Sequence, residues 1–174
     1  GNNQQQYVMN TITKNWCNFT GWNANCWEIA NDALYFGGNG FVGQAWNGTS
    51  DAGSNINANA LQAFNYFGKR AQYKRWTMMK PVFSVTGSPT LYANVNVDFD
   101  QSDTTAVLAY SAVTQSLWDT AVWDSATWEG TTILKNWQGT NGVGYCAAPR
   151  VKIAANNLTV QWMSTDLVME TGGI

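Results

Sequence analysis

The chain of 174 residues contains no histidine. That absence removes the commonest general base, the commonest transition-metal ligand and every nucleophile triad built on imidazole. Charge is scarce as well: Asp, Glu, Lys and Arg make up 11% of the residues, against roughly 25% in ordinary globular domains. With a formal net charge of -2 and a pI of about 4.8, the chain as a whole does not attract nucleic acid or anionic lipid, so any such contact must be local. The cysteines Cys17, Cys26 and Cys146 are odd in number and include no C-x-x-C, which fits neither a zinc knuckle nor a full disulfide framework. Reduced thiols are expected, with a Cys17–Cys26 bridge as the alternative if Cα geometry permits it. No apolar run approaches the ~18 residues that span a bilayer, and no leader pattern or membrane anchor is read. The first residue is Gly1 rather than Met, so a piece of something longer is one expectation. No Walker loop, G-x-G-x-x-G or G-x-S-x-G occurs, leaving nucleotide and acyl-transfer chemistry without support. The expectation is a protein with neither catalytic turnover nor a cofactor.

What the chain does have is aromatics, 14% of residues with ten Trp, in a background whose polarity comes from amides and hydroxyls. Gly and Asn interrupt it densely, and β-branched and aromatic residues fill its apolar runs, so strands should prevail over helices. Residues 1–6 form an amide-rich lead-in, read as a linker or a strand continuing from upstream. Cys26–Ala30, Ala33–Gly37 and residues 41–46 are three short apolar runs separated by Asn31-Asp32 and Gly38-Asn39-Gly40, which predicts an antiparallel meander of the size found in a propeller blade. Residues 47–59 read as a loop. Further on, Leu91, Ala93, Val95, Val97 and Phe99 alternate with polar residues, predicting a half-buried strand. Its expected partner is residues 75–85, with Pro81 arguing for an edge or a bulge. Residues 145–154 and 158–169 read as a second hairpin, with a bulge at 164–166 where the apolar parity flips. The domain reading is 1–59 as a propeller-like meander and 60–174 as an antiparallel β-sheet region carrying an inserted loop, 101–142.

Three constellations invite chemistry. The first is a five-residue repeat in which Trp118-Asp119, Trp123-Asp124 and Trp128-Glu129 recur. A period of five fits neither a strand nor a helix, where successive Trp would drift by ~140°, so a looped ribbon is expected. Its indoles suit a glycan or a partner subunit, or else pin the ribbon to its own domain. Its acids invite comparison with a glycosidase carboxylate pair, but one short ribbon supplies them with no partner to set their pKa values apart. The second is a basic stripe of Lys69, Arg70, Lys74, Arg75 and Lys80 interleaved with Tyr73 and Trp76, suited to DNA phosphate or an acidic partner, or to a solvated edge that blocks strand addition. The third is Asp98, Asp100 and Asp103, oxygen ligands at short spacing that lack the Gly and terminal Glu of an EF-hand loop; no metal is expected there.

Taken together, Gln6-Tyr7-Val8-Met9-Asn10, Phe19-Thr20-Gly21-Trp22-Asn23-Ala24, Asn31-Asp32-Ala33-Leu34-Tyr35-Phe36-Gly37, the Trp-Asp repeat and the ending Trp162-Met163-Ser164-Thr165-Asp166-Leu167-Val168-Met169-Glu170 resemble the C-terminal part of the tail nozzle proteins of short-tailed bacteriophages, also called packaged-DNA stabilisation or tail hub proteins. The resemblance implies an all-β subunit, propeller-like blades followed by a terminal antiparallel sheet with a Trp-rich loop insertion. It also implies a structural virion role lining or capping a DNA exit channel, with self-association in a six-membered ring, contact with neighbouring tail proteins and non-specific DNA contact, and assembly in the host cytoplasm. At about 40–45 residues per blade the chain is too short for a full propeller, so a fragment, a truncated member, or a last blade plus terminal sheet is expected. A carbohydrate-binding or receptor-binding β-module is the alternative from another class, and an adhesin domain a third.

Overall fold

The computed structural model describes residues 4–111 and 130–172. Among them there are twelve strands and no helix, as the density of turn residues and β-formers dictates. All strand pairing is antiparallel, and no closed sheet occurs among the described residues. The chain divides into two units, Gly1–Gly48 and Thr49–Ile174.

In the first unit, β1 (Gln6–Met9) pairs with β2 (Trp16–Phe19) through a turn in which the Asn10 side chain accepts hydrogen bonds from the Ile12 and Thr13 amides. Of the amide-rich lead-in, Gln4 and Gln5 are tied down: Gln4 Nε2 donates to Asn25 Oδ1 at 2.8 Å, and Asn18 Nδ2 to Gln5 Oε1 at 2.8 Å. The expected meander is present as β3 (Cys26–Ala30), β4 (Ala33–Gly37) and β5 (Val42–Gln44). Asn31 and Asp32, at φ 50° and 59°, make the β3–β4 turn. These residue types accept the left-handed conformation that a tight hairpin needs.

The second unit is two sheets around one core. One sheet runs β10 (Gln138–Gly144), β7 (Lys74–Val85), β12 (Val160–Thr171), with β9 (Thr132–Leu134) also paired to β7. The other runs β6 (Ile56–Leu61), β11 (Ala147–Ala155), β8 (Thr90–Val97). Trp76, Met79, Phe83 and Val85 from β7 meet Leu91, Ala93 and Val95 from β8 and Ala147 and Val151 from β11 in this core.

Several sequence expectations are corrected here. The strand at Thr90–Val97 does not pair with residues 75–85. It pairs with β11, while β7 pairs with β12, so the chain crosses between sheets after β7 and again after β11 instead of turning back in hairpins. Alternation shows which face of a strand is buried; both a hairpin and a cross-sheet arch satisfy it. Residues 47–59 are not all loop, because β6 begins at Ile56 and gains its ladder from β11. The 101–142 segment contains β9 and the start of β10. Glycine-rich β10 has poor intrinsic strand propensity, but its glycines are required: a Cβ on Gly142 would lie 2.8 Å from Val97 Cγ1, and one on Gly144 would lie 2.5 Å from Asp98 Oδ2.

Pro81 lies in a central strand, not at an edge. Along that side of β7, β10 pairs as far as Met79 and β9 starts at Phe83, so the proline falls in the gap between them where no ladder donor is called for. The β12 parity change is real but sits slightly earlier than read: Met163 is the extra residue between Trp162, opposite Phe83, and Ser164, opposite Val82. A second bulge at Thr77 switches the inward parity of β7, so that Lys74 and Trp76 face inward before it and Met79, Phe83 and Val85 after it.

Candidate functional site

The ribbon residues Trp118, Asp119, Trp123, Asp124, Trp128 and Glu129 lie outside the described residues. The basic stripe is described in full, and the fold breaks it up. Lys74 is 1% exposed, and its ammonium donates to the carbonyls of Lys69 at 2.7 Å, Gln72 at 2.8 Å and Tyr145 at 3.4 Å. It is an internal tie and not a surface contact, because its position on β7 points it inward with Trp76. Lys80 pairs with Asp166 at 2.7 Å and lies 4.9 Å from the Trp137 ring centroid. Arg70 stacks over Tyr66 at 4.6 Å. Lys69 and Arg75 are exposed, with no ion pair among the described residues.

The three aspartates do not converge. Asp98 Oδ1 accepts from the Tyr145 amide at 2.7 Å and the Cys146 amide at 3.2 Å. Asp100 accepts from the Ser102 hydroxyl at 2.6 Å and the Ser102 amide at 2.9 Å, and these bonds hold its carboxyl below the usual carboxylate range. Asp103 binds Asn59 Nδ2 at 2.9 Å, Lys152 Nζ at 3.2 Å and the Arg150 guanidinium, and it too is lowered, first by the Asn59 bond, then by Lys152. No group of three His, Cys, Asp or Glu side chains placed to hold a metal occurs among the described residues. Cys17, Cys26 and Cys146 are free thiols, so the alternative bridge is not formed.

Both lowered carboxyls stabilise the fold above their ordinary pKa of about 4, and that contribution is lost as pH falls through the lower folded values. Urea midpoints measured between about pH 5 and pH 2 should therefore decline with acid, and Asp103→Asn should flatten the decline. An unchanged slope in the variant would refute the assignment.

The largest aromatic assembly among the described residues is one that spacing did not reveal. In the first unit Trp22 stacks on Phe36 at 5.1 Å and 10°, and Phe19, Trp27, Phe41 and Trp46 surround the pair with centroid separations of 5.0 to 6.5 Å. The β3–β4 register sets Trp27 opposite Phe36, and Gly43 leaves room for the Phe36 ring, where a Cβ would lie 2.7 Å from its Cζ. Among the described residues, the buried core of this unit is Ala24, Phe36 and Ala45. Trp46 and Trp16 are each 67% exposed, Val42 77% and Ile29 70%.

Compared with known protein families, with characterised proteins and with solved structures, the chain matches none.

Proposed function

We propose that this chain is a structural subunit of a larger assembly and not an enzyme: a virion protein of the tail-nozzle or tail-hub kind, surrounded by copies of itself and by neighbouring tail proteins. The observation that carries the reading is the imbalance of the first unit, where the described residues include three buried in the core against Tyr7, Ile12, Trp16, Trp27, Ile29, Phe41, Val42 and Trp46 exposed. Apolar patches on this scale mark contact surfaces, and Trp is favoured where contacts carry most energy. Scarcity of charge suits the same role, because a charge buried at an interface without a partner is costly. In this reading β3, β4 and β5 are three strands of a propeller blade, the Trp118–Trp128 ribbon is a second docking element, and Lys69 and Arg75 are the cations left for a passing DNA phosphate. Assembly takes place in the host cytoplasm.

Light scattering of the purified chain should give a multiple of 19.2 kDa. Trp27→Ser, Trp46→Ser and Trp123→Ala should each weaken association by about 2 kcal/mol, roughly thirtyfold, with sheet circular dichroism retained. A 19.2 kDa particle at every concentration would overturn the reading.

A further inference from the structure

In the second unit the end of β8 and the start of β11 border an open depression of about 480 Å³ lined by Tyr66, Arg70, Asp98, Phe99, Tyr145 and Cys146. That volume falls within the ~300–1,000 Å³ common for small-molecule sites. Its walls are aromatic: Phe99 packs on Phe64 at 4.9 Å and Tyr145 on Tyr73 at 5.1 Å, and the Arg70 guanidinium carbon lies 4.6 Å from the Tyr66 ring centroid. Phe99 is 60% exposed, although the strand alternation predicts it inward. The reason is a turn. Asp98 and Phe99 both have positive φ, 48° and 64°, and the Asp100 amide donates to the Val97 carbonyl at 2.9 Å, closing a type I′-like turn. A bulky side chain at such a position is disfavoured where glycine would fit without strain. An exposed aromatic ring held against backbone preference is the kind of local strain that accompanies function.

The polar groups define the chemistry. Both Asp98 bonds to amides use Oδ1, so Oδ2, which lies against Gly144, has no hydrogen-bond donor among the described residues, and the residue is exposed. With one carboxylate and one guanidinium in its lining the depression is near neutral, and the carboxylate opposes phosphate. Vicinal hydroxyls donate to Oδ2 and accept from Arg70, while the apolar C–H face of a sugar ring covers an aromatic face. We propose that this depression is a subsite for one pyranose residue of a neutral glycan, independent of the assembly reading, since a monomer would carry it unaltered.

Saturation-transfer NMR and titration calorimetry on the intact chain with maltohexaose, cellohexaose and chitohexaose test this, with a twenty-residue thymidine oligonucleotide as the competing class. At least one hexasaccharide should bind. Phe99→Gly relieves the positive φ while removing the ring, so it should keep or raise the melting temperature and weaken binding by about tenfold. Asp98→Asn keeps the amide-accepting oxygen and removes the charge, and should weaken binding with the fold intact. The proposal fails if no hexasaccharide binds, if binding survives both substitutions, or if the oligonucleotide alone binds there.

Discussion

Trp76→Ala should destabilise the second unit by about 3–5 kcal/mol in urea unfolding followed by circular dichroism. Trp76 is fully buried on the central strand β7, opposite Gly142 on one side and Met169 on the other, with Phe67 edge-on at 6.2 Å. Flanking strands cannot collapse into the space without breaking their own ladders, so truncation leaves a cavity. The indole Nε1 is buried with no hydrogen-bond partner among the described residues. A buried unpaired donor costs about 1–3 kcal/mol, so Trp76→Phe removes that penalty while keeping most of the ring, and should lose less than half as much as Trp76→Ala. A loss below about 1 kcal/mol for Trp76→Ala would mean that Trp76 does not anchor this core.

The second large effect concerns Lys74. Lys74→Met keeps the aliphatic stem but strands the carbonyls of Lys69, Gln72 and Tyr145, and should cost about 1–3 kcal/mol in the same assay. The same variant should leave retention on a polyanion such as heparin unchanged, whereas Lys69→Ala with Arg75→Ala should reduce it. If Lys74→Met lowers retention and spares stability, the basic stripe acts as one surface after all.

The contrast between these residues shows where sequence reading succeeds. Asn31-Asp32 and Gly38-Asn39-Gly40 mark tight turns because their backbone preferences are local, and the β3–β5 meander follows from them with nearly its observed bounds. Likewise, the alternation from Leu91 to Val95 identifies an inward face that is buried as read. Partner choice is different in kind. That β7 joins β12 and β8 joins β11 depends on which pairing buries the shared core, which no window of a dozen residues encodes. The inward turn of Lys74 follows from the Thr77 bulge, and the outward turn of Phe99 from two positive φ values. Gly-rich β10 is invisible to propensity because its glycines answer to the close approach of Val97 and Asp98. Asn96 carries the same lesson: it stands on the polar side of the alternation, yet it is buried and donates to the carbonyls of Asp100 and Ser102. The aromatic cluster of the first unit arises from register across β3 and β4 together with the Phe19 to Trp22 turn, so no single repeat announces it.

The two units also differ in when they can form during synthesis. Every sheet of the first joins strands adjacent in the chain, so it can close as soon as it leaves the ribosome. The second cannot. Lys74 waits for Thr171, Val85 for Val160, and Ile56 for Ala155, so the central strand β7 emerges with both edges open; β9 and β10 can cover one edge once residue 144 is made, and the other stays open until β12 arrives. Non-local pairing of this kind slows folding and leaves unpaired edges exposed to other nascent chains in the interval. A ribosome stalled short of residue 160 therefore carries a finished first unit and a second unit whose β7 still has one edge open, which makes completion of β12 the event that closes that edge.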